Sequence, residues 1–165
     1  VFDSKSAAAA QHLICERLEN YIEQDLDFKT IVEKTEQYVG EIRTLFVLDS
    51  LDTMRKNGRI TKVKALAANM LNIKPVLHGV DGEIQQLDQA RGMTRALDRM
   101  AEIACKEGGD TASKRLVIAH CNNPERAKHV KEIMCKRANF REVVITNTAG
   151  VATVYAGDGG IVMTL

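Results

Sequence analysis

Apolar positions in the first forty residues recur at three- and four-residue spacing, the period of a helix with one buried face. Leu13, Ile14, Leu18, Tyr21 and Ile22 carry that pattern and predict a helix over residues 6–24. The alanine run at 7–10 forms helix readily and is narrow, so another element can pack close to that turn. A second helix is predicted over 28–42, with Ile31, Val32 and Val39 on one face and Glu33, Lys34 and Glu36 outside. Ahead of both, Val1-Phe2-Asp3-Ser4 reads as a strand end running into a helix cap, and the chain as a piece of a longer protein.

The period then changes. Residues 44–48 (TLFVL) form an unbroken apolar run of strand length, closed by Asp49-Ser50. Ser50 can cap a short helix over 51–56, which Asn57-Gly58 would stop because both residues tolerate a left-handed backbone. Thr61 can cap a further helix over 61–71, with Val63, Leu66, Ala67, Met70 and Leu71 as its apolar stripe. Residues 73–80 and 83–89 read as two strands joined by the Asp81-Gly82 turn. A helix over 93–106 follows. The remainder alternates: strand 115–119, helix 123–136, strand 142–146, short helix 149–156 and strand 161–165. A hairpin combined with β-α-β units predicts an α/β fold, a two-layer domain with a mixed β-sheet.

Composition narrows the function classes. The chain has 165 residues, 45% hydrophobic and 27% charged, with a formal net charge of +1, so no general electrostatic pull toward nucleic acid or membrane is expected. Aromatic residues make up only 4% and tryptophan is absent, which argues against a base-stacking surface. The cysteines Cys15, Cys105, Cys121 and Cys135 are widely spaced without a C-x-x-C pair and read as free thiols in a reducing cytoplasm. No run is long enough for a membrane span.

The polar turns each admit two readings. Asn57-Gly58-Arg59-Ile60 is a helix stop with a surface arginine, or a glycine turn presenting a cation beside an apolar helix. The second would suit an amphiphile with an anionic head. Lys74-Pro75 is a surface lysine, or a cation at a strand entrance. Arg91-Gly92 offers a surface salt bridge to Asp88 or Glu83, or a contact for a carboxylate, phosphate or partner. In His120-Cys121-Asn122-Asn123-Pro124, capping by Asn123 with Pro124 in the first turn accounts for the residues without a metal or an anion. Asn147-Thr148-Ala149-Gly150 and Gly157-Asp158-Gly159-Gly160 are turns that match neither a P-loop nor a dinucleotide fingerprint. Neither a G-x-S-x-G elbow nor H-E-x-x-H occurs, and no catalytic set can be assembled. Neither a metal nor an organic cofactor is expected.

The string Asp49-Ser50-Leu51-x-x-Met54-x-Lys56-Asn57-Gly58-Arg59-Ile60 resembles the DegV family pattern. Leu71-x-Ile73-Lys74-Pro75-Val76-Leu77, Asp81-Gly82 and Arg91-Gly92 follow in the family's order. Asp3-Ser4-Lys5-Ser6-Ala7 resembles the turn that opens the family's C-terminal half. The resemblance implies a fragment of a two-domain carrier. Residues 1–43 would pack with the other half, and 44–165 would form the C-terminal α/β domain of the DegV and dihydroxyacetone-kinase-like type. It implies that a long-chain fatty acid is bound and its carboxylate presented to a separate fatty acid kinase, with no catalysis by the chain itself. Carried onto this sequence, Arg59, Ile60, Leu66, Ala67, Met70, Leu71 and Tyr155 become the candidate lipid-binding residues, and Arg91 the candidate partner contact. Tyr155-Ala156-Gly157-Asp158-Gly159 stands where many members have an H-T-G-P-G turn. Tyrosine replaces the carboxylate-holding histidine and aspartate replaces proline, so repulsion of the headgroup by Asp158 is expected if it lies close. The alternatives are a domain of a dihydroxyacetone-kinase-like enzyme and a ligand-free regulatory or interaction domain.

Overall fold

A computed structural model describes residues 1–60 and 72–165. The helix predicted over 61–71 lies outside the described residues. Helices α1 (Ala9–Glu23) and α2 (Phe28–Glu41) precede strand β1 (Thr44–Val47) and helix α3 (Asp52–Lys56). Strands β2 (Ile73–Val80) and β3 (Glu83–Arg91) lead into helix α4 (Met93–Glu107). Strand β4 (Arg115–His120), helix α5 (Pro124–Arg137), strand β5 (Glu142–Asn147), helix α6 (Gly150–Ala156) and strand β6 (Ile161–Thr164) complete the order. Each helix and strand predicted after Ser4 within the described residues is present, with ends displaced by a few residues.

The strands form one mixed sheet in the order β3-β2-β1-β6-β4-β5. Pairing is antiparallel except for β4 with β5, which α5 connects. The β2–β3 hairpin turns on Asp81 and Gly82, at φ 50° and 80°, with Val80 opposite Glu83. Two consecutive positive φ values are what a tight two-residue hairpin requires, and Asp-Gly meets that demand at low cost.

Side chains alternate between the two faces of the sheet. Leu45, Val47, Val76, Leu116, Ile118, Ile161 and Met163 point to one face, where Ala96, Leu97, Met100 and Ala101 of α4 and Ala127, Val130 and Met134 of α5 cover them. This two-layer core is the main hydrophobic body. The other face is covered in pieces. Ala9 and Leu13 of α1 sit on Val117 and Ala119 of β4. Met54 of α3 and Ala156 of α6 close over Phe46, Leu48, Leu77 and Cys121. Arg115 of β4 ion-pairs with Glu16 of α1 and, at 3.0 Å, with Glu142 of β5. The helix α1 is therefore docked on the sheet formed by the later residues.

The start of the chain differs from its reading. Val1 to Ser4 form no strand, because a strand needs a neighbour and none of the six pairs with them. Asp3 does not cap a helix; its carboxylate accepts from the Lys5 amide at 2.9 Å, and α1 begins only at Ala9 with no side-chain cap. Ser50 is not the cap of α3 either: the cap position is Leu51, without a side-chain cap bond, and Ser50 Oγ accepts from the Asp52 amide at 3.1 Å from one residue earlier. The cap of α5 is as expected. The Asn123 side-chain Oδ1 accepts from the Arg126 amide at 3.0 Å, with Pro124 in the first turn of α5.

Candidate functional site

The pairing pattern sends β1, β3, β4 and β5 in one direction and β2 and β6 in the other. The C-terminal ends of four strands and the entrances of two therefore lie at one end of the sheet. Most polar turns singled out from the sequence follow or precede a strand at that end: Asp49-Ser50, Lys74, Arg91-Gly92, His120 to Asn123, Thr148 and Gly157 to Gly160; Asp81-Gly82 lies at the opposite end, and Asn57-Gly58 follows α3. Strand ends of this kind are where α/β sheets usually hold ligands.

Three of those turns are joined by a residue the sequence reading passed over. Arg126, in the first turn of α5, donates from Nη1 to Asp49 Oδ2 at 2.6 Å and to the Gly159 carbonyl. Lys74 Nζ donates to the Asp49 carbonyl at 2.7 Å and lies 3.4 Å from Asp49 Oδ1. Lys74 and Arg126 are largely covered, at 18% and 21% side-chain exposure, so neither is a freely solvated surface cation. Burial pushes the Asp49 carboxyl up, but the hydrogen bond and charge of Arg126, joined by Lys74, outweigh it and hold the group below its ordinary 3.8. The folded protein thus binds that proton less readily than the unfolded chain. The stabilisation is complete above the ordinary carboxylate range and is lost as pH falls through the depressed pKa. Acid unfolding followed by circular dichroism should therefore show Asp49→Asn less sensitive than the parent below about pH 4. Identical acid profiles would remove Asp49 from the account.

The turn held by Arg126 is fixed from other sides as well. The Gly159 amide donates to the Cys121 carbonyl at 2.9 Å, and the Gly160 amide to Gly157 at 3.1 Å. Gly159 has φ +77°, and a Cβ there would stand 2.2 Å from Asp49 Oδ2 and 2.7 Å from Arg126 Nη1. The absent side chain is what lets the ion pair lie against the backbone. The Asp158 carboxylate accepts from Asn122 Nδ2 at 2.9 Å. His120 is buried, and its Nδ1 accepts from the Asn123 amide at 3.3 Å, a structural role in the α5 cap. No group of three or more His, Cys, Asp or Glu that could hold a metal occurs among the described residues.

The predicted site residues divide into three sets. Ile60 and Tyr155 meet on one apolar cluster, half-buried against Phe46, Leu48, Met54, Leu77, Cys121 and Ala156. Arg59 precedes Ile60 and is exposed, its amide bonded to the Met54 carbonyl at 2.9 Å. Arg91 is exposed at the last position of β3. The salt bridges considered for it do not form: Asp88 is taken by Arg99, and Glu83 is at the opposite end of the same strand. Leu66, Ala67, Met70 and Leu71 lie outside the described residues.

One end of this α/β sheet thus carries a polar clamp, Arg126 and Lys74 on Asp49, and an apolar cluster, which together make up the candidate site. The chain belongs to the DegV family, whose profile, described as "Uncharacterised protein, DegV family", matches residues 1–164. A DegV-family structure from Ruminococcus gnavus, solved with vaccenic acid, is 41% identical with a TM-score of 0.96, covering 100% of this chain and 59% of that one. The Streptococcus pneumoniae fatty acid kinase (Fak) B3 protein, loaded with linoleic acid, is 30% identical with a TM-score of 0.85, covering 99% and 58%. A DegV domain-containing protein of Streptococcus pneumoniae R6 is 31% identical over 99% of this chain and 58% of its own length. The chain thus spans a little over half the length of the relatives it matches. No helix among the described residues is long and apolar enough to cross a membrane.

Proposed function

We propose that this chain is the C-terminal part of a cytoplasmic carrier that binds one long-chain fatty acid and presents its carboxylate to a separate fatty acid kinase. The observation that carries the reading is the match, over the full chain, to a structure 41% identical that holds vaccenic acid. The local chemistry agrees with it. Ile60 and Tyr155 share one apolar cluster, and two cations, Lys74 and Arg126, share the single carboxylate of Asp49 nearby. An anionic headgroup is favoured beside such a clamp, and each methylene buried along an apolar slot contributes about 0.8 kcal/mol. Arg59, Leu66, Ala67, Met70 and Leu71 complete the proposed slot, and Arg91 is the proposed kinase contact. Residues 1–43 are proposed to pack against the rest of the protein in addition to this sheet. Phe28 and Ile22, exposed at 83% and 64%, are available for that contact. The carrier itself performs no catalysis and needs no metal or cofactor.

Native mass spectrometry of the full-length protein should find one fatty acid retained per chain, and no ATP hydrolysis should occur without a partner. Nucleotide turnover by the protein alone would favour a dihydroxyacetone-kinase-like enzyme. Absence of any lipid would favour a regulatory or interaction domain. Arg91→Ala should retain the lipid and slow its phosphorylation; an unchanged transfer rate would sink the partner assignment.

A further inference from the structure

We infer that Arg126, with Asp49 as its counter-ion, is the positioning residue that fixes the headgroup end of the site by gripping the turn between α6 and β6. This rests on the carrier reading given above. The turn runs from Gly157 to Gly160 and is separated from Tyr155 only by Ala156, the last residue of α6, so the placement of that phenol depends on where the turn is held. Arg126 holds it by the Gly159 carbonyl while the same nitrogen is anchored on the Asp49 carboxylate. Asp49 ends the β1 segment and is anchored in turn by Lys74 at the entrance of β2. Four segments distant in sequence (49, 74, 126 and 159) therefore meet through one guanidinium and one carboxylate.

The geometry is specific to this arrangement. Gly159 has a positive φ and no room for a Cβ beside the ion pair, so turn and pair are fitted to each other. Arg126 is committed to protein acceptors and does not itself take the ligand. Its effect on binding is indirect and falls on the polar end of the ligand rather than the tail. The apolar cluster under Ile60 and Tyr155 is built from β1, β2, α3, α6 and Cys121 after β4, and does not include Arg126.

The test uses the full-length protein with oleate and oleyl alcohol, which share a tail and differ in the headgroup. Arg126→Gln should reduce the preference for oleate over the alcohol about tenfold, while affinity for the alcohol changes little. Hydrogen exchange at the amides of Gly159 and Gly160 should quicken in the same variant. Arg126→Lys, which keeps a cation able to reach Asp49, should recover part of the preference. Asp49→Asn supplies the second variant if Arg126→Gln fails to fold, and should shift preference and exchange in the same direction. Parent protein that binds oleate, with both variants retaining its preference and its exchange at 159 and 160, would overturn the positioning role alone. Equal loss of oleate and alcohol would also overturn it, since that is the signature of a merely structural residue. Parent protein that binds neither ligand would overturn the carrier reading and this role together.

Discussion

Replacing Gly159 by alanine is expected to destabilise the protein by about 2–3 kcal/mol, from a left-handed backbone and a displaced ion pair together. The first part arises because Gly159 has φ +77°, a conformation that strains any residue with a Cβ. The second arises because the new methyl would fall 2.2 Å from Asp49 Oδ2 and 2.7 Å from Arg126 Nη1. Neither group can withdraw freely. Asp49 is also held by Lys74, and Arg126 leaves from a helix turn capped by Asn123. The turn cannot move outward without losing the Gly159 amide bond to Cys121. Urea unfolding should show a lower midpoint at unchanged slope. A control distinguishes strain from space. Gly82→Ala in the β2–β3 hairpin also imposes a positive φ, of +80°, but a Cβ there meets nothing within 4 Å. It should cost about 1–2 kcal/mol, the backbone share alone. If both substitutions cost the same, the fitted contact around Gly159 adds nothing.

The contrast between those two glycines also shows what the sequence made legible. The hairpin is a local fact: two turn residues between two apolar runs, settled by the φ values their side chains permit. The cap of α5 is equally local, since Asn123 and Pro124 act within three residues. Arg126 is not local. In the string PERAKHVKEIMCKR it is one charge among many on a helix, and such charges usually face solvent. Its partners Asp49 and Gly159 are 77 and 33 positions away. Each partner turn was visible in the sequence as a separate motif. What joins them is strand direction, which only the sheet pairing supplies. The Asp158–Asn122 bond, spanning 36 positions, was hidden for the same reason. The family resemblance pointed to Ile60 and Tyr155, which pack against the same apolar cluster, but it could not indicate that a largely covered arginine braces the turn beyond them.

Leu97→Ala is expected to cost about 3 kcal/mol in stability, the middle of the range for deleting a buried leucine side chain, and to leave the identity of any bound lipid unchanged. Leu97 is 1% exposed and lies within the layer that α4 lays over the sheet. Its neighbours there include Ala96, Met100 and Ala101, and Met134 of α5, all fully buried. The alanines bring the backbones close, so the layer has little slack to collapse into the vacancy, and the cavity term adds to the lost transfer energy. The proposed lipid site uses the opposite face, where Phe46, Leu48 and Leu77 point. Alternation along each strand separates the two sets, so a vacancy at Leu97 is screened from the proposed slot by the sheet itself. Urea unfolding of the full-length variant measures the first expectation, and mass analysis of co-purifying lipid measures the second. A changed acyl composition in Leu97→Ala would mean that the α4 layer helps shape the slot, and the assignment of the two faces to core and ligand would fall.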